Sequence, residues 1–226
     1  MCMYKKSDIK FGECVYCGIY KTIDYDHIPP INIFSKPRPS NLIKVPSCHN
    51  CNGGSSKDDE YFWITLSIRE DVINHPVVYQ NRTIIDRAMN NPNKVELRKS
   101  FDNSIKISEA FSKCGIFIGE KHFLDVKLER LNRVAERIIK GLYYHHTNSI
   151  LGKGFKSVAY ITDCVNTQSW ENIKKLYESL RFEKSYRIGN NVFEYKYKVT
   201  YDNNKVSLWI LKFYDKIHFF GATISS

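Results

Sequence analysis

The five residues CHNCN at positions 48–52 place two thiols, an imidazole and two amides side by side. Cysteine is a soft ligand suited to zinc, whereas an asparagine carbonyl is a hard oxygen suited to magnesium-like ions. An earlier pair, Cys14 and Cys17, repeats the Cys-x-x-Cys spacing, with 30 residues between Cys17 and Cys48. Each knuckle turns tightly enough to aim two thiolates at one point, and four thiolates close a tetrahedral shell. The spacing therefore predicts a structural Zn2+ held by Cys14, Cys17, Cys48 and Cys51, with no position left for substrate. Cys2, Cys114 and Cys164 are isolated and read as buried, inert thiols. Seven cysteines in a chain whose start, MCMYKKSDIKFGEC, lacks an apolar export core argue against a disulfide framework.

Between and behind the knuckles the chain must supply elements that hold these groups. KTIDYDHI alternates as a strand, with Ile23, Tyr25 and His27 on one side and Asp24 and Asp26 on the other. Pro29 and Pro30 end it, SKPRPSN is a loop, and NLIKVPSC is a second short strand. The glycines of NGGSS exclude it from a helix interior. A helix is instead expected from about Lys57, capped by Ser55 or Ser56 with Asp58 or Asp59, running through DDEYFWITLSIRE and closed by Pro76. QNRTIIDRAMNN reads as a further helix before Pro92. Over 121–146 an apolar stripe of Leu124, Leu128, Leu131, Ala135, Ile138 and Leu142 marks another. On its opposite face Lys127, Arg130, Arg133, Arg137 and Lys140 read as solvated charges, with a phosphate-facing surface as the alternative. Past Gly152 a short helix, SWENIKKLYESL, precedes an antiparallel meander of VFEYKYKVTY, KVSLWILKFY and KIHFFGATI, with DNN as a turn. The expected class is α+β: a strand–loop–strand–helix zinc module over 1–75, then a basic α+β accessory region over 76–226, helical first and β-meander last.

The order C-x-x-C, Asp26-His27-Ile28-Pro29-Pro30, Asn41-Leu42, C-x-x-C-Asn52 resembles the zinc-containing HNH endonucleases, which use the ββα-metal fold. The resemblance covers about residues 11–62. It implies that His27 is a general base, that Asp26 and Asn52 hold a catalytic Mg2+ or Mn2+, and that Asn41 braces the His27 loop. That set suits phosphodiester hydrolysis, which needs a base for water and a cation to offset charge on phosphorus and the leaving oxygen. Histidine titrates near neutrality, and neighbouring strand positions diverge, so the base and the ligand can face different partners. The chain departs from the family pattern at Asn52, where many members have histidine, and at Lys57, which stands further on than usual. His49 and Asn50 read as spacers, with His49 in place of Asn52 as second ligand of the ion as the alternative. Asp58-Asp59-Glu60 reads as helix capping, with a contact behind the metal's ligands as the alternative.

A formal charge of +10 and a pI near 9.2 favour polyanionic partners. Residues 1–62 hold 8 Lys+Arg against 7 Asp+Glu and the remainder 26 against 17, so the excess lies behind the cysteines. Lys36, Arg38, Lys44 and Lys57 are the candidate phosphate contacts. The expectation is a cytoplasmic, metal-dependent endonuclease acting on DNA, with RNA possible, in defence or a mobile element. No membrane partner is expected, and 76–226 would select substrate, form a homodimer or bind a protein. A non-catalytic zinc module that binds nucleic acid and a toxin-like RNase are the alternatives.

Overall fold

The computed structural model describes residues 10–162, 184–199 and 206–226, with isolated positions Glu171, Lys175 and Glu178 between them. Cys2, Cys164, the SWENIKKLYESL segment as a whole and the DNN turn lie outside the described residues.

Strands β1 (Lys10–Glu13), β2 (Tyr20–Ile28) and β3 (Ile43–Cys48) form one antiparallel sheet in that order. In register, His27 lies opposite Lys44 and Ile23 opposite Cys48. Pro46 is tolerated because β3 is an edge strand. Its carbonyl accepts from the Val15 N–H at 3.0 Å, which ties the first cysteine turn to the sheet. Helix α1 (His49–Ser67) follows β3 without a break.

This corrects the helix start expected near Lys57: the segment NGGSS lies inside α1, and the first turn carries no acid. A helical glycine costs roughly 1 kcal/mol against alanine, so something must hold these turns. The Ser55 and Ser56 hydroxyls donate to the Asn52 and Gly53 carbonyls at 2.9 and 2.8 Å, so neither serves as an N-cap. Cys48 and Cys51 anchor the helix start from the sheet side, and the end, Tyr61 to Ser67, is wholly buried.

Pro76 does not close α1, which ends at Ser67. It stands instead at the first turn of α2 (Pro76–Met89), where its missing N–H has no intrahelical partner to lose. A short α3 (Val95–Asp102) leads into a two-stranded ribbon, β4 (Ile105–Phe111) and β5 (Phe117–Leu124). The periodicity from 121 therefore runs early: Leu124 ends β5, and α4 spans Leu128–Thr147. Cys114, expected to be buried, is exposed at the ribbon's turn.

The C-terminal half forms a five-stranded antiparallel sheet ordered β6-β10-β9-β8-β7, from β6 (Phe155–Ile161), β7 (Tyr186–Ile188), β8 (Phe193–Val199), β9 (Ser207–Phe213) and β10 (Ile217–Ser225). The expected meander is β8-β9-β10, with β6 and β7 added at its edges. Side chains alternate along β9 and β10, and the buried face meets α1 and α4. Phe62 of α1 packs on Phe213 and Phe219, with ring centroids 5.3 and 5.6 Å apart. One buried cluster runs from Val15 to Phe219, so the boundary expected near 76 is not marked by a break in the core. Gly141 brings α4 against β2, because a Cβ there would meet Ile28 Cγ1 at 2.5 Å.

Candidate metal centre and acidic cluster

The two knuckles meet. Cys14 and Cys17 flank the turn between β1 and β2, Cys48 ends β3, and Cys51 sits in the first turn of α1. Their four sulfurs lie within 4.8 Å of one another. Thiolates of a tetrahedral zinc site with bonds of about 2.3 Å stand at comparable separations, so the donor set fits Zn2+. Burial pushes the Cys48 thiol up, but hydrogen bonds from the Cys51 amide, the Cys51 side chain and Lys21 outweigh it and hold it at about 6. Burial raises Cys51. At Cys14 burial is likewise outweighed by hydrogen bonds, so two sulfurs of the group are set to carry negative charge, as metal ligands must. His49 and Asn50, between the ligands, are exposed, as spacers should be.

A second cluster lies beside it. Asp26, on β2, turns inward toward α4 with Ile28, while the pleat carries His27 to the other face with Tyr25. Asp26 Oδ2 accepts from the Tyr16 hydroxyl and from Arg137 Nη2, each at 2.5 Å. Asn52 Oδ1 faces the same Nη2 at 3.4 Å. The other amino group, Nη1, donates to Asp59 Oδ2 at 2.9 Å and to the Ser55 hydroxyl. Its guanidinium also lies 4.8 Å from the Tyr16 ring centroid, a cation–π contact. Both charges are nearly enclosed: the Asp26 and Arg137 side chains are 11% and 13% exposed. Burial raises the Asp59 carboxyl even with Arg137 beside it, and burial next to Asp26 raises the Tyr16 phenol strongly.

Asp26 and Asn52 both face Arg137 Nη2, and sequence reasoning misses Arg137, Tyr16 and Asp59. The solvated-face reading holds for the exposed Lys127 and Arg133 but is corrected for Arg130 and Arg137, whose side chains are mostly covered. Arg130 Nε donates to Asp58 at 2.6 Å and its guanidinium covers the Tyr61 ring, while Arg133 reaches the same carboxylate at 2.9 Å. Glu60 pairs with Lys94. Asp58, Asp59 and Glu60 are therefore partners of later helices rather than caps of α1. The readable signal was the row Arg130, Arg133, Arg137, spaced to share a helix face, with Asp58 and Asp59 as a neighbouring pair of opposite charge.

The other expected residues stand apart from this cluster. His27 is half-buried, and burial, then Lys44, lowers its imidazole, which keeps it neutral near pH 7. The Asn41 amide donates to the Arg187 carbonyl at 2.9 Å, tying the loop before β3 to β7. Lys36 and Lys44 are exposed. Lys57 faces Glu96 at 3.4 Å, both in open solvent. Arg38 is half-buried, with Nη1 enclosed and unpartnered among the described residues.

Asp26 and Asn52 present a carboxylate and an amide oxygen, hard donors of the type magnesium-like ions take. The charge they face here is the guanidinium. Comparison with protein-family models, with curated proteins and with solved structures finds no match to this chain.

Proposed function

We propose that this chain is an HNH-type endonuclease that hydrolyses phosphodiester bonds in DNA. The observation that carries the reading is the convergence of Asp26, from a strand, and Asn52, from the first helical turn beyond a four-cysteine knuckle, on a single cation position. The strand–loop–strand–helix order over 20–67 supports a ββα-metal module. His27 stands one residue from Asp26, and its lowered imidazole suits it to take a proton from water at neutral pH. Asp26 and Asn52 would hold Mg2+ or Mn2+, which when bound offsets charge on the phosphorane and leaving oxygen. Cys14, Cys17, Cys48 and Cys51 would fix the start of α1, and with it Asn52, through Zn2+. Lys36 and Lys44 are free to meet phosphates flanking the site.

One observation favours a second reading. Arg137 closes the Asp26 carboxylate in an ion pair, as a zinc-held nucleic-acid-binding module without catalysis would allow. Incubating zinc-loaded protein with supercoiled plasmid, with Mg2+, with Mn2+ and with neither, separates the two. Nicking that requires the added ion supports the nuclease, and retarded but intact plasmid in all three supports the binding module.

A further inference from the structure

Among the described residues the Arg137 guanidinium donates to the acidic cluster, to Asp26, Asn52, Asp59 and the Ser55 hydroxyl. It comes from α4, 111 residues from Asp26 in the chain, and it meets the first cysteine knuckle through the Tyr16 ring, 4.8 Å from the ring centroid. Two nearly enclosed carboxylates cannot be left without a compensating charge, because removing the partner of a buried ion pair strands the other. Asp26 Oδ2 already carries two donors at 2.5 Å, so a further cation on that oxygen requires one of them to leave. A guanidinium also leaves Asp26 and Asp59 one positive charge short of neutrality, which a divalent ion would supply.

The cluster also has an exit for the displaced group. A cavity of about 450 Å3 opens between the first knuckle, the start of α1 and α4, lined by Tyr16, Arg133, Arg137 and Lys140 together with the carboxylates of Asp58 and Glu136. Arg137 Nε is enclosed and makes no hydrogen bond among the described residues, so the guanidinium is held through its two amino groups and by the Tyr16 ring, with the Nε side left unbonded.

We propose that Arg137 is the resident cation of the Asp26–Asn52 site, and that a divalent ion enters by exchange with it. The guanidinium then moves into the cavity beside Lys140 and the Asp58-paired Arg133, where its freed charge would receive a phosphate group of the nucleic acid. The chain is in this way closed to metal until ion and anion arrive together. The inference rests on the nuclease reading, since that reading assigns the ion to Asp26 and Asn52.

The test is Mn2+ binding to zinc-loaded protein, followed by the electron paramagnetic resonance of free Mn2+, for wild type, Arg137→Met, Arg137→Lys and Asp26→Asn/Arg137→Met. Arg137→Met should bind one Mn2+ at least about tenfold tighter than wild type, a gain of about 1.4 kcal/mol. Bound Mn2+ should also raise its melting temperature more than that of wild type. Arg137→Lys, which keeps a charge but reaches fewer oxygens, should fall between them, and the Asp26→Asn double variant should lose the gain. Should Arg137→Met fail to fold, the comparison of Arg137→Lys with wild type decides. Equal Mn2+ affinity across the Arg137 series, or a gain that survives Asp26→Asn, overturns the exchange. Plasmid cleavage is scored in parallel. Tighter Mn2+ without cleavage by any form keeps the exchange and discards the nuclease, and cleavage with unchanged affinity does the reverse.

Discussion

Cys48 and Cys51 sit where a sheet hands the chain to a helix, so losing a sulfur there should cost more than a metal ion. Cys48→Ser is expected to leave the protein with less than one zinc per chain and to loosen the start of α1, where two glycines already weaken the helix. Elemental analysis beside far-ultraviolet circular dichroism checks this, and a variant that keeps full zinc contradicts it. His146 offers an independent test among the aromatic rings of the C-terminal sheet. It lies between Tyr197, at 4.1 Å between ring centroids, and the Tyr195 hydroxyl, 2.9 Å from Nε2. Burial, then His145 and Lys184, lower its imidazole to about 4. Because the folded value lies below the unfolded value of about 6.5, the unfolded chain takes the proton first. Stability from this site is full above pH 6.5 and is lost as pH falls toward 4. Urea denaturation should show wild type losing its advantage over His146→Gln between pH 7 and 4.5, and a constant difference contradicts the burial of a neutral ring.

At the scale of elements, α1 and α4 decide the geometry. Gly54 is helical with open space around it, so Gly54→Ala should stabilise the protein by about 0.5–1 kcal/mol in chemical denaturation. Gly141→Ala should do the opposite, losing about 1–3 kcal/mol, because its methyl group has no room against Ile28 and must push α4 from β2. Much of this was legible in sequence. The cysteine spacing, the alternation of KTIDYDHI and the meander near the C-terminus are local patterns, and local patterns survive folding. The start of α1 was not legible, because the cost of Gly53 and Gly54 is offset by the cysteine anchor and by packing supplied by distant segments. Pro76 was misplaced for a related reason, since proline ends one helix or opens another depending on where the neighbouring turn falls. The β4–β5 ribbon escaped notice because Ile105, Ile107, Ile116 and Phe117 are exposed, so no buried face stamps its period on the sequence. Asp26 and Asn52 could be named from their motif. Arg137 could not, because its role exists only once α4 lies across β2.

The molecule as a whole joins a nearly neutral, cysteine-rich end to a remainder that carries most of the positive charge, and one core runs through both. Neutralising phosphates with that remainder releases counterions, so affinity for DNA should fall steeply between about 50 and 200 mM salt. Fluorescence anisotropy with a labelled duplex measures the slope, and an affinity that ignores salt points to a protein partner instead. The central claim is that His27 works beside an ion held by Asp26 and Asn52, and it predicts separable defects. His27→Ala touches neither the cysteines nor the Asp26–Arg137 pair, so zinc content, fold and DNA affinity should stay near wild type. Its loss should appear in the chemical step, by about 100- to 10,000-fold for a positioned base. Asp26→Ala should also lose activity and regain part of it in excess Mn2+. The most direct measurement is single-turnover cleavage of supercoiled plasmid by zinc-loaded wild type and His27→Ala under matched Mn2+ titrations. The account predicts cutting by wild type and a loss of that size in the variant which no Mn2+ concentration restores, whereas equal rates would contradict it.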